Sequence, residues 1–156
     1  MADLRLLERR EIEAGIAAPL LEGFIKAFGE ERAIGAALAV ISGQARKAGE
    51  AAAARYGAGG LAGLARAVRE MWSAGGALEA EFLEESPSRL CFNVVRCGYA
   101  ESYERMGVRR FGGCLSCSRD AAFAAGFDPA IRLERTQTIM EGAPFCDFRF
   151  YLDDEG

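Results

Sequence analysis

The sequence predicts an α+β fold in a single domain over residues 1–156, and three observations predict it. Residues 1–75 repeat apolar side chains at helical spacing and are rich in alanine. After Gly75-Gly76 the period shortens to two, as in half-buried strands. Helical and strand patterns also occupy separate halves instead of alternating, which is the signature of helices packed on an antiparallel sheet. The expected architecture is an N-terminal helical half (1–75) on a four-stranded, mainly antiparallel sheet with two short inserted helices (76–151).

Leu4, Leu7, Ile12, Ile16 and Leu20 recur at helix-like spacing with charges between them, predicting a first helix. Pro19 lies inside that run, so a break or kink is expected near Ala17 or Ala18. The pattern resumes over Leu21–Phe28 and stops at Gly29. A long alanine-rich helix follows from about Glu31 to Tyr56, with Ile34, Leu38, Ile41 and Ala45 on one face. Gly57-Ala58-Gly59-Gly60 ends it, as glycines past a helix end do. A shorter helix is expected from about Leu61 to Trp72.

Leu78, Ala80 and Phe82 then alternate with Glu79 and Glu81, and Leu90, Phe92 and Val94 alternate beyond a turn at Pro87-Ser88. This predicts an antiparallel hairpin. The inserted helices are expected over Gly98–Met106 and Ser118–Ala125, ending at Gly107 and Gly126. Two further strands are expected over Ile131–Ile139 and Phe145–Tyr151, joined by Glu141-Gly142-Ala143-Pro144.

Composition excludes several function classes. A net charge of −4 without a basic patch argues against nucleic acid as a partner. No segment reaches the roughly 18 apolar residues of a membrane span. Met1-Ala2-Asp3-Leu4-Arg5 lacks the charged-then-apolar order of a signal peptide, so a cytoplasmic location is expected. There five cysteines read as thiols or ligands, not as a disulfide framework. The chain has no histidine, which excludes a Ser-His-Asp triad, a Cys-His dyad and any histidine-containing metal site.

Chemistry must therefore rest on thiols, carboxylates, hydroxyls or water, and these concentrate between Leu90 and Tyr151. Cys97 stands where a strand gives way to a helix, a position whose partial positive charge lowers a thiol pKa, with Arg96 beside it. Cys117 occupies a comparable place, with Asp120 one turn on. Cys146 shares a strand face with Phe148 and Phe150, while Asp147 and Arg149 face the other way. Cys91 and Cys114 read as small buried hydrophobes.

Cys114-Leu115-Ser116-Cys117 is a CxxC, but no second pair completes a zinc ribbon. Cys97, Cys117 and Cys146 with Asp120 or Asp147 would suit zinc or another divalent metal, and nothing in the sequence requires a cofactor. Arg96, Arg135 and Arg149 carry planar two-pronged donors for a substrate carboxylate, or for structural ion pairs with Asp147, Asp120 or Glu134. Thr136 and Thr138 share one strand face, and Tyr99 and Tyr103 one helix face.

The run Asn93-Val94-Val95-Arg96-Cys97-Gly98-Tyr99-Ala100, with Tyr103 and Leu115-Ser116-Cys117-Ser118-Arg119-Asp120, resembles the L-2-amino-thiazoline-4-carboxylic acid hydrolase family. So do Gly126-Phe127-Asp128-Pro129, Arg135-Thr136-Gln137-Thr138-Ile139-Met140-Glu141-Gly142 and Cys146-Asp147-Phe148-Arg149-Phe150. The resemblance implies hydrolysis of a carbon–nitrogen bond in a small cyclic amidine that bears a carboxylate, opening 2-aminothiazoline-4-carboxylate to a carbamoyl-cysteine on a bacterial route to cysteine. On it, a thiolate at Cys97, Cys117 or Cys146 attacks the amidine carbon, or a metal on those thiolates activates water. Asp120 or Asp147 manages protons, and Arg96, Arg135 and Arg149, with Tyr99 and Thr136, bind substrate. Two other readings stand beside it: a small-ligand- or metal-binding module without catalysis, and a homodimer formed through the segment Ala33–Ala54.

Overall fold

In the computed structural model, which describes residues 3–57 and 59–153, the helical half begins with two long helices, α1 (Leu6–Phe28) and α2 (Glu30–Tyr56). They meet at Gly29, whose φ of 89° only glycine adopts freely. Met1, Ala2, Ala58 and residues 154–156 lie outside the described residues, and with them part of the leader and helix-stop readings. No described helix is long and apolar enough to cross a membrane.

Helix α1 corrects one expectation. It runs unbroken through Pro19. Both Pro19 and Gly15, whose carbonyl loses its partner, lie on the exposed side, where water can take the freed acceptor. The buried face of the helix is made by small residues more than by the bulky ones. Ala14, Ala18 and Leu21 are buried, whereas Ile12, Ile16 and Leu20 are 63%, 62% and 49% exposed. Small residues let α1 lie close on its neighbours, and the bulky ridge is left outside.

After the glycines, α3 (Leu61–Ala67) continues into a π-helical turn, Val68–Trp72, and a 3₁₀ turn, Ala74–Gly76. The hairpin forms as expected from β1 (Leu78–Glu85) and β2 (Arg89–Cys97). Next come α4 (Gly98–Arg105), a second π-helical turn over Gly113–Cys117, and α5 (Arg119–Phe127). Strands β3 (Ile131–Glu134) and β4 (Cys146–Leu152) complete an antiparallel sheet in the order β1-β2-β4-β3. The fold is α+β, with helices on one face of the sheet.

Strand β3 ends at Glu134, five residues short of the expected Ile139. From Arg135 the chain leaves the ladder and is held by side chains instead. Arg109 Nη2 and Nε donate to the carbonyls of Ile139 and Met140 at 2.6 and 3.1 Å, and Gln137 Nε2 donates to the carbonyl of Phe145 at 2.9 Å. Freed from the sheet, Arg135 and Thr138 can turn into the protein.

The core is aromatic. Phe92, Phe148 and Phe150 cover the inner face of the sheet, with Phe92 and Phe148 stacked 4.8 Å apart, and Trp72 meets Phe123 edge-on at 5.3 Å. Helix α5 passes through Gly126, which the sequence reading made its end. That glycine serves contact. A Cβ on Gly126 would lie 2.0 Å from the carbonyl oxygen of Arg46, and one on Gly49 would lie 2.0 Å from that of Phe123. Two glycines, one on each helix, thus let α2 and α5 cross backbone to backbone.

Replacing Gly49 or Gly126 with alanine should therefore destabilise the fold by about 1–3 kcal/mol each, the cost of overpacking a rigid contact. Gly35→Ala, where a Cβ meets nothing, should be neutral or stabilising by up to about 1 kcal/mol through helix propensity. Urea unfolding midpoints of the three variants check this.

Candidate active site

The crossing of α2 and α5 opens a cavity of about 80 Å³ between the helices and the inner face of the sheet. Roughly 10–15 Å³ admits one water, so the space suits a small ligand. Its walls are largely apolar: Val94, Cys146 and Phe148 from the sheet, Ala45 and Ala48 from α2, and Phe123 from α5. Both π-helical turns reach it, one presenting Met71 and Trp72, the other Ser116 and Cys117. Such one-residue expansions re-aim side chains and recur at functional sites.

Asp120, in the first turn of α5, supplies the carboxylate. Arg135 Nη1 donates to Asp120 Oδ2 at 2.6 Å, and Nη2 donates to the carbonyl of Cys117 at 3.2 Å. The guanidinium also lies 5.0 Å from the centre of the Phe148 ring. Burial pushes the Asp120 carboxyl up to about 6, outweighing the charge and hydrogen bond of Arg135. Burial acts to lower Arg135, but the Asp120 charge and hydrogen bond prevail and hold it above its ordinary value. The fold therefore binds the Asp120 proton more tightly than the unfolded chain does. That stabilisation is complete below the ordinary aspartate range and is lost as pH rises through about 6.

A second basic group borders the cavity. Arg10 and Arg119 are only 12% and 14% exposed, yet they share one carboxylate, Glu13, at 2.8 and 3.6 Å. Arg119 Nε donates to the carbonyl of Leu115 at 3.0 Å, which fixes its plane. Burial, then the charge of Arg10, holds Arg119 below its ordinary value. Two guanidiniums against one carboxylate leave a positive charge uncompensated, a setting that favours an incoming anion.

Cys97, Cys117 and Cys146 all line the cavity, as do Tyr99, Asp120 and Arg135. The expectation of a lowered Cys97 pKa is corrected. Its sulfur does cap α4, accepting from Ala100 N–H at 3.4 Å, but burial outweighs that bond and raises the thiol to about 11. Arg96 turns away to Glu101, at 2.9 and 2.8 Å. Burial likewise raises Cys117, with the Asp120 charge adding to the shift, and raises Cys146, whose sulfur accepts from Ile139 N–H at 3.2 Å. Among the described residues, no group of three or more cysteine, aspartate and glutamate side chains is arranged to hold a metal ion. Thiols that keep their protons are poor nucleophiles.

Four candidate site residues, Arg96, Thr136, Asp147 and Arg149, stand outside the cavity lining. Asp147 binds the turn after β3, accepting from the N–H groups of Thr136 and Gln137 at 2.9 and 3.0 Å and from the Thr136 hydroxyl. Burial acts to raise Asp147, but these bonds outweigh it and hold the carboxyl below its ordinary value. Arg149, on the outer sheet face, donates to Asn93 Oδ1 at 2.9 Å and to the carbonyls of Phe92 and Phe148. Thr136 is exposed, and its neighbour Thr138 lines the cavity instead. Tyr99 joins two walls by donating to the carbonyl of Trp72 at 2.8 Å. The sequence reading missed Arg10 and Arg119 as basic groups at the cavity, and Trp72 and Phe123 as walls. Arg119 could have been found, since it directly precedes Asp120 at the start of a predicted helix.

A family model described as L-2-amino-thiazoline-4-carboxylic acid hydrolase matches residues 9–150. Among solved structures, the chain is similar to the crystal structure of the phenol-responsive sensory domain of the transcription activator PoxR with phenol. That likeness has a TM-score of 0.53 and 13% identity, covering 100% of this chain and 78% of the other. At this identity it shows the fold alone. No curated protein matches this chain.

The thiol chemistry is directly checkable. In the folded protein at neutral pH, Cys97, Cys117 and Cys146 should react with iodoacetamide at least about 100-fold more slowly than in the unfolded chain, as burial and a raised pKa require. Peptide mapping by mass spectrometry reads each position separately.

Proposed function

The chain belongs to the L-2-amino-thiazoline-4-carboxylic acid hydrolase family, and we propose that it opens a small carboxylated cyclic amidine, 2-aminothiazoline-4-carboxylate being the type compound, to a carbamoyl-cysteine. The observation that carries this reading is a partly neutralised carboxylate, Asp120, poised near neutrality inside an otherwise apolar cavity with unpaired cationic charge at its edge. Groups shifted toward the operating pH by burial and a specific partner are the ones suited to moving protons.

In this reading the substrate carboxylate lies against Arg10 and Arg119, and the amidine carbon faces Asp120. The ionised Asp120 takes a proton from water as its oxygen bonds to that carbon. The tetrahedral adduct then collapses: its hydroxyl gives up the second water proton and becomes the carbonyl, the ring carbon–nitrogen bond breaks, and the departing nitrogen takes up both protons, one of them returned by Asp120. One water is added and nothing is lost. Arg135 holds the carboxylate in place and balances its charge. Trp72, Phe123 and Phe148 exclude bulk water, which strengthens each of these interactions. The thiols serve as walls, their protons retained.

A second reading, binding of a small ligand without turnover, is favoured by the apolar lining. The structurally similar sensory domain is described as phenol-responsive, and aromatic walls here would accept a planar ring of that size.

Incubation with 2-aminothiazoline-4-carboxylate should give a product heavier by one water. Asp120→Asn should lower kcat by about 10²–10⁴-fold, the usual worth of a general base. Arg119→Gln should raise KM about tenfold or more, as loss of a charged hydrogen bond does. Because the base is the ionised form, kcat/KM should climb with pH through about 6 and then level. Cys117→Ser should keep its turnover, and its loss would make that thiol the nucleophile. Binding without any product would favour the second reading.

A further inference from the structure

The outer surface of the two long helices is apolar on a scale that the folded chain leaves unused. Ile12, Ile16, Leu20, Phe24 and Phe28 form a ridge at four-residue spacing along α1, each between 48% and 63% exposed. Val40 of α2 adds a further 62% exposure across a groove of about 760 Å³ lined by Leu20, Phe24, Phe28 and Ala36. No charged residue interrupts α1 between Glu13 and Glu22, or α2 between Arg32 and Arg46. Isolated exposed apolar residues are ordinary, but a continuous patch of this extent marks an interaction surface.

We propose that this face is the interface of a homodimer, formed by the outer sides of α1 and α2 of two copies. Three observations choose a second copy as the occupant. Six large apolar residues that are each about half-exposed or more make a patch on the order of several hundred Å², the scale that marks an interaction surface, against the roughly 800 Å² that each partner contributes to a standard interface. The surface is self-complementary. Beside the bulky ridge runs a row of Gly15, Pro19, Gly23 and Ala27, and a Cβ on Gly15 or Gly23 would meet nothing. The ridge of one copy fits the furrow of the other in the four-residue ridge packing that crosses helices at about −50°, and a two-fold axis makes both contacts at once. Charges of both signs are interspersed around the face, Glu8, Glu22, Glu30 and Glu31 among Arg9, Lys26 and Arg32, unlike the Lys- and Arg-rich border of a membrane-surface helix.

This moves the expected dimer surface. The segment Ala33–Ala54 spends its inner side on α5 at Gly49, and only its outer side is available.

Light scattering coupled to size exclusion tests the proposal. The wild-type chain at micromolar concentration should show twice the chain mass. Ile16→Glu with Leu20→Glu should show the single chain mass with an unchanged far-ultraviolet circular dichroism spectrum. Val40→Glu probes the same face from α2 and should also weaken the dimer. A single chain mass for the wild type, or a double mass that survives these substitutions, would overturn it. A wild-type monomer that floats with phosphatidylcholine–phosphatidylglycerol vesicles would overturn it too, assigning the face to lipid.

Discussion

Everything about the site depends on how closely α5 approaches α2. The two glycines at the crossing, Gly49 and Gly126, bring the helix backbones to a separation that no side chain permits. This depth sets where the first turn of α5 lies, and with it Asp120 and Phe123. It also sets the room left between the helices and the sheet. A looser crossing would pull Asp120 toward solvent, return its pKa toward the ordinary range and let water into the cavity. Packing geometry is thus translated into protonation chemistry through a single helix.

The polar end of the cavity is assembled from segments that are irregular for a reason. Arg135 reaches Asp120 because the chain abandons the β3 ladder one residue earlier, and Arg109 and Asp147 take over the hydrogen bonds that the sheet would have made. Cys117 and Trp72 face inward because each belongs to a π-helical turn. Burial then decides the chemistry. It raises the thiols beyond use at neutral pH, and it raises a carboxylate only part of the way because an arginine faces it. The same desolvation that silences the cysteines makes the aspartate responsive.

The sequence showed the fold well where a single local rule operates. The β1–β2 hairpin, the glycines that close α2 and the inward set Cys146, Phe148 and Phe150 were legible from period two and turn chemistry. It misled where tertiary packing overrides periodicity. The helical spacing of the α1 apolar residues did not reveal that alanines make the contact while the bulky ridge stays outside. Gly126 was taken as a stop because spacing cannot distinguish a conformational glycine from a contact glycine. In the site, the cysteines, Asp120, Tyr99 and Arg135 were visible as chemistry-bearing residues, and their shared cavity was not. Arg10 was invisible as a cavity residue because it lies more than a hundred residues away in a helix that reads as scaffold.

The central claim is that a carboxyl, not a thiol, is the titrating group poised for catalysis. Carbon-13 nuclear magnetic resonance of the aspartate side chains across pH, with Asp120 identified by the signal missing from Asp120→Asn, measures this without reference to any substrate. The account predicts a midpoint for Asp120 near 6, with none of Cys97, Cys117 and Cys146 titrating below the ordinary thiol range. An Asp120 midpoint at the ordinary aspartate value, or a cavity cysteine ionised at neutral pH, would contradict it and return the chemistry to the thiols.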